Sequence, residues 1–278
     1  MQDQIIALFE MFFDCLTSLD TTFTSAAGAG AESTLVTVMG TFATAIKPVG
    51  YSLLALFALL EFAQLSERVG NVTGFMGTGL VIEVLIKLIL CKIVVDNSTQ
   101  ICTFVVGVGD NITSLIGSQS IASVDFEQFK QNIISAFPDW WDIFGQLAFF
   151  IISALFIILS CIALLFVEVI YAARYVELFV YTAVSPIPLS TCLSKHFNVA
   201  PNFIKNLFAV ALQGALLLLI IKIFNLIFTF NINSLGTLAT NDWGAIWSML
   251  WTLLFNAILL LVTSFQTQKW SKSICHAM

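Results

Sequence analysis

Charge is what this chain lacks. Of its 278 residues only 10% are Asp, Glu, Lys or Arg, while 59% are hydrophobic. Soluble domains carry about 25% charged residues, so there is too little polar surface here to clothe a water-soluble globule. Histidine is limited to His196 and His276. There is no Walker loop, no HExxH and no GxSxG, so neither an enzyme nor a metal or cofactor site is expected. The six cysteines, Cys15, Cys91, Cys102, Cys161, Cys192 and Cys275, form no CxxC pair and no Cys/His cluster. They are expected as small packing residues rather than as metal ligands or disulfides. No basic and aromatic stripe is large enough to hold nucleic acid, so any DNA contact is expected to be transient. No internal repeat is visible. The opening "MQDQIIALFEMFFDCL" is acidic where a secretory signal carries Lys or Arg. Its stretch Ile5 to Leu19 reads as amphipathic, for a membrane surface or a partner.

Long apolar runs are what the chain has. They are continuous rather than alternating, which excludes a transmembrane β-barrel and predicts an all-α, polytopic helical membrane protein. About five spans are expected: Thr41–Gln64, Phe75 to about Val95, Ile143–Val167, Phe203–Phe230 and Trp243–Phe265. The first is expected to begin in earnest near Pro48, because proline suits the first helical turn. Whether Ile101–Gly109 prolongs the second helix or lies at an interface is open. Trp243, Trp247 and Trp251 suit an aromatic belt. The expected regions are 1–40, an extracytoplasmic N-terminal region; 41–109, two membrane helices; 110–142, an acidic outer loop with an amphipathic helix over Phe126–Phe137; 143–230, a core; and 231–278, a last span with a basic tail.

Lys and Arg mark orientation. None occurs before Glu32 or in 231–242, whereas Arg68, Lys195, Lys205, Lys269 and Lys272 gather in alternate loops. Cytoplasmic loops retain positive charge, so the N-terminus is expected outside and the C-terminus in the cytoplasm. Val176–Leu189 then cannot cross, because Arg174 and Lys195 flank it. It is expected as a Pro-broken cytoplasmic continuation of the third helix or a re-entrant piece, with a sixth span as the alternative.

Two sets of residues stand out. Glu83 and Lys87 are spaced i,i+4 within the second span, and Lys92 widens their stripe. Intramembrane charges face protein or water, so the stripe reads either as pore lining or as a mutually neutralised pair that packs helices. The second set closes the long third run: Arg174 and Glu177, spaced to pair at i,i+3, then Ser185, Pro186 and Pro188, then Lys195 and His196. Proline removes a donor and fixes φ, and it pushes the preceding residue out of the helical region. The Ser-Pro-Ile-Pro element therefore reads as an elbow. It is expected to present Lys195 and His196 at the cytoplasmic face and to dock against a neighbour or a cytosolic partner, with a plain terminator between spans as the alternative; for Arg174 and Glu177 a solvated helix end is the alternative to docking. Gly70, Gly74 and Gly77 have spacing that permits close helix approach.

The run "EVIYAARYVELFVYTAVSPIPLSTCLSKHF" followed by "APNFIKNLFAVALQGALLLLIIKIF" resembles the TrbL/VirB-type polytopic inner-membrane subunits of type IV secretion and conjugation systems. The matching positions are Arg174, Glu177, Ser185, Pro186, Ile187, Pro188 and Leu189, then Lys205, Ala211 and Gln213. The likeness covers roughly Leu147 to Phe230, with the N-terminal third similar only in general character. Short length and the absence of large soluble extensions look most like conjugative elements of Gram-positive bacteria. The resemblance implies a channel or scaffold subunit in the bacterial cytoplasmic membrane that assists passage of DNA or protein. It further implies a ring-like homo-oligomer working with other secretion membrane subunits and cytosolic ATPases. A secondary transporter and a purely structural anchor are the competing readings.

Overall fold

The computed structural model describes residues 31–69, 76–119, 143–193, 198–235 and 243–276, with isolated positions among the first 18. Most of the amphipathic N-terminal stretch, the Phe126–Phe137 helix, Gly70, Gly74, Lys195 and His196 lie outside the described residues. Among those described, every regular element is helical: α1 (Ala31–Val69), α2 (Met76–Asp96), α3 (Ser98–Gly117), α4 (Ile143–Val184), α5 (Pro186–Leu189), a 3₁₀ turn (Ser190–Leu193), α6 (Val199–Leu235) and α7 (Trp243–Ile274). Helices satisfy all their main-chain groups internally, which is what a lipid environment demands of a spanning segment. Three of them contain stretches long and apolar enough to cross a membrane: Val38–Glu67, Phe150–Val184 and Val199–Phe230. The stretches expected as the second and last spans are helical, as α2 and α7, but are not among those three.

Several boundaries differ from expectation. α1 starts at Ala31 and carries Pro48 in its interior, which a membrane helix tolerates when neighbours supply packing. Ile101–Gly109 belongs to α3, a helix set off from α2 only by a turn at Asn97. Asp110 is not in a loop: α3 runs on to Gly117 and buries it. Val176–Val184, by contrast, continues the third helix, one of the two readings expected of it: the third and fourth runs form one helix, α4, of 42 residues.

The chain divides into two compact units. One comprises Met1–Gly28, Ile112–Ala173 and Gln213–Gln268. Its described helices bury matching faces. On α4 the buried positions Ser153, Phe156, Ser160, Ala163 and Val167 recur at helical spacing. On α7 the buried face is Asn256, Ala257, Leu260, Ser264 and Thr267, small and polar as membrane helix interfaces tend to be. Phe156 and Phe228 stack at 6.5 Å, and Phe166 meets Phe265 at 5.5 Å. Lys222 is buried and donates to the carbonyls of Gly117 and Gln119, both at 2.8 Å. It thereby caps the otherwise open C-terminal end of α3.

The other unit comprises Ala29–Asn111, Arg174–Leu212 and Lys269–Met278. α1 and α2 form an antiparallel hairpin. At its open end Lys47 donates to the Asp96 carbonyl at 2.9 Å, capping α2, and the Tyr51 hydroxyl donates to the Asp96 carboxylate. A cluster of Cys102, Leu178, Leu189, Phe203, Leu207 and Val210 joins α3, α4, α5 and α6.

Candidate functional site: the elbow, its ion pair and the charged stripe

The elbow forms because two prolines delete the N–H groups that would reach the carbonyls of Thr182 and Val184. The chain compensates locally. Ser185 Oγ donates to Thr182 O at 2.8 Å, Ser190 Oγ to Ile187 O at 2.6 Å and Thr191 Oγ1 to Pro188 O at 2.7 Å. Ser185 keeps helical angles, φ −49° and ψ −33°, contrary to the expectation that a residue before proline leaves that region. The break therefore comes from missing donors rather than from a backbone excursion.

Pro186 then seats on Gly50 of α1, where an added β-carbon would stand 2.9 Å from the Pro186 carbonyl oxygen. Beyond it, Leu193 packs with Leu54, Ala58 and Cys91, part-way along the α1–α2 hairpin. Cys192 is disulfide-bonded to Cys91, with Cα atoms 6.0 Å apart. This corrects the expectation of no disulfide: the partners are 101 positions apart, and only the folding back of the elbow brings them together.

Arg174 is the second correction. It is not a solvated helix end, being 1% exposed. Its Nη2 meets Asp110 Oδ1 at 3.1 Å and donates to Ala211 O at 3.0 Å, while Nε donates to Val210 O at 3.1 Å. A planar fork of donors suits this arrangement, in which one side chain binds both a carboxylate and main-chain carbonyls. The ion pair thus runs to Asp110, 64 positions away, where i,i+3 spacing pointed to Glu177. Next to Asp110, Gly109 lets α3 and α6 touch: a β-carbon there would stand 2.7 Å from Ala211 O. Ser185 and Pro186 are buried, and Glu177 and Pro188 are half-buried. The elbow is an internal joint of this unit.

On α2, Glu83 and Lys87 form an ion pair that stays open to the surface, and Lys92 is exposed beside it. Their neighbours Ile82, Ile86, Ile89 and Ile93 are about half exposed. The stripe therefore lies on an outward face of α2. No described cluster of His, Cys, Asp and Glu could hold a metal.

Sequence reasoning missed Asp110, Lys47, Lys222 and Gly109. The signal available was chemical: each is a charged or backbone-exposing residue inside an apolar stretch, where a partner is obligatory.

A model of the TrbL/VirB6 plasmid conjugal transfer like proteins matches residues 32–186. The chain belongs to the TrbL/VirB6 plasmid conjugal transfer family. The match takes in α1, α2 and α3, which had looked similar only in general character, and ends at Pro186 of the elbow, before α6. Arg174, Asp110, Gly50 and Gly109 all fall inside the matched stretch. No curated protein and no solved structure matches this TrbL/VirB6-family chain. Membership makes it a membrane component of conjugal transfer, in a family whose members are structural parts of secretion machines rather than enzymes.

Proposed function

We propose that the protein is a channel or scaffold subunit of a conjugative type IV secretion machine, assisting passage of DNA or protein across the bacterial cytoplasmic membrane. Family membership over residues 32–186 carries this reading. The outward ion pair on α2 supports self-association: a Glu–Lys pair amid exposed isoleucines is poorly suited to lipid and well suited to a helix of another copy or to water. A ring of copies, working with other membrane subunits and cytosolic ATPases, places α2 at an interface or a lumen.

Five helices, α1, α2, α4, α6 and α7, span in this reading. The C-terminal end is cytoplasmic because Lys205, Lys269 and Lys272 belong to one unit near the contact of Ser271 with Ala209. Arg174, neutralised by Asp110, drops out as an orientation marker. The N-terminal stretch, free of Lys and Arg, is outside. Seating of Leu193 part-way along the hairpin favours the re-entrant reading of the elbow over a cytoplasmic continuation.

The test is particle mass in nanodiscs with imaging, joined to transfer assays of Glu83→Leu with Lys87→Leu. A ring, with transfer lost although the variant assembles, supports a stripe that lines a path. Normal transfer in that variant removes the pore role and leaves a scaffold. The pairing of Glu83 with Lys87 itself favours the scaffold alternative, since a neutralised pair needs no lumen.

A further inference from the structure

In the unit of Ile112–Ala173 and Gln213–Gln268, buried hydroxyls generally satisfy themselves on their own helix. Ser153 donates to Phe150 O, Ser264 to Leu261 O and Thr267 to Ser264 O. Three side-chain atoms break this pattern. Ser160 Oγ on α4, Asn225 Oδ1 on α6 and Asn256 Nδ2 on α7 are buried with no hydrogen-bond partner among the described residues.

They also share a layer. α4 and α6 are antiparallel, and Phe156 stacks on Phe228; one turn further along α4, Ser160 comes level with Phe224 and Asn225. α4 and α7 run the same way, and Phe166 meets Phe265; stepping back along both brings Ser160 level with Leu259. Asn256 is one turn from that level, about 4.5 Å at 1.5 Å per residue. The layer thus offers a hydroxyl, an amide carbonyl and an amide N–H, all neutral, from three different helices. An orphaned polar atom is costly in an apolar interior, and a set of two to four such partners is what a buried water requires.

We propose that Ser160, Asn225 and Asn256 form a water-binding site inside this unit, roofed by the aromatic pair Phe224 and Phe228, whose centroids are 6.0 Å apart. The ligand class is one or a few water molecules. The neutral donors and acceptors provide no charge for an ion. The site bridges α4, α6 and α7 by hydrogen bonds that none of the three helices makes alone.

The test is X-ray radiolytic labelling of the full chain in nanodiscs, read by mass spectrometry, with ¹⁸O-water as the source of label. Radicals arise from bound water and mark adjacent side chains. Phe224 and Phe228 are expected to take up label several-fold faster than Phe203, which at 9% against 2% and 0% is the more exposed of the three but sits in an apolar cluster. Ser160→Ala with Asn225→Leu and Asn256→Leu is expected to bring them down to the Phe203 rate. If that triple variant does not fold, Ser160→Ala alone replaces it, with a partial fall expected. Labelling of wild-type Phe224 and Phe228 no faster than Phe203 overturns the site, as it would if the amides pair directly. Fast labelling that survives the substitutions overturns it equally.

Discussion

Removing Asp110 from beneath Arg174 is the sharpest test of the joint. Asp110→Ala leaves a guanidinium that is 1% exposed beside two carbonyls and takes away the carboxylate that meets it. At the 3.1 Å separation seen here, an effective dielectric near 20 gives an attraction of about 5 kcal/mol. Breaking a buried pair from one side typically costs about 3–5 kcal/mol. At roughly 2–4 °C per kcal/mol for a domain of this size, the unfolding midpoint falls by about 6–20 °C. Apolar replacement of both partners, Arg174→Met with Asp110→Leu, is expected to recover most of that loss, because no uncompensated charge remains. The assay is thermal unfolding in a fixed detergent for Arg174→Met, Asp110→Leu, their double variant and wild type, closed as a double-mutant cycle, with Asp110→Ala measured beside them. Two results refute the reasoning. One is a loss in Asp110→Ala of about 0.5 kcal/mol or less, the range of a surface substitution. The other is a double variant as unstable as the sum of the singles, which means the two side chains do not act on each other.

Other expectations follow from the same contacts. Gly109→Val forces a side chain against Ala211 O and is expected to cost about 1–3 kcal/mol as overpacking, read in the same unfolding assay; Gly50→Val against Pro186 is expected to behave alike. Lys222→Met leaves the carbonyls of Gly117 and Gln119 without their donor, and hydrogen exchange is expected to quicken at 113–119 before it changes in α6. In thiol alkylation of unreduced, denatured protein, four cysteines are expected to react, Cys15, Cys102, Cys161 and Cys275, rising to all six after reduction. Cys91→Ser is expected to expose Cys192 without reductant. Six reactive thiols before reduction would remove the covalent tie of the elbow.

Apolar length and scarcity of charge were enough to fix the helical class of the chain. A sequence that cannot clothe itself in polar surface must satisfy its main chain internally, and helices do so within one segment. The elbow was legible for the same local reason, since Pro186 and Pro188 delete donors wherever they stand. The partners of the charges were not legible. Spacing pointed from Arg174 to Glu177 three positions on, and from Asp110 to an outer loop, yet the two side chains meet across 64 positions. Cys91 and Cys192 meet across 101 positions, and Lys47 and Lys222 find the ends of helices that lie far from them in sequence. Periodicity records which face of a helix is buried and not what is buried against it. Each of these pairings depends on where α3 and the elbow come to rest, and only the tertiary structure, through close approaches such as Gly50 on Pro186 and Gly109 on Ala211, decides that.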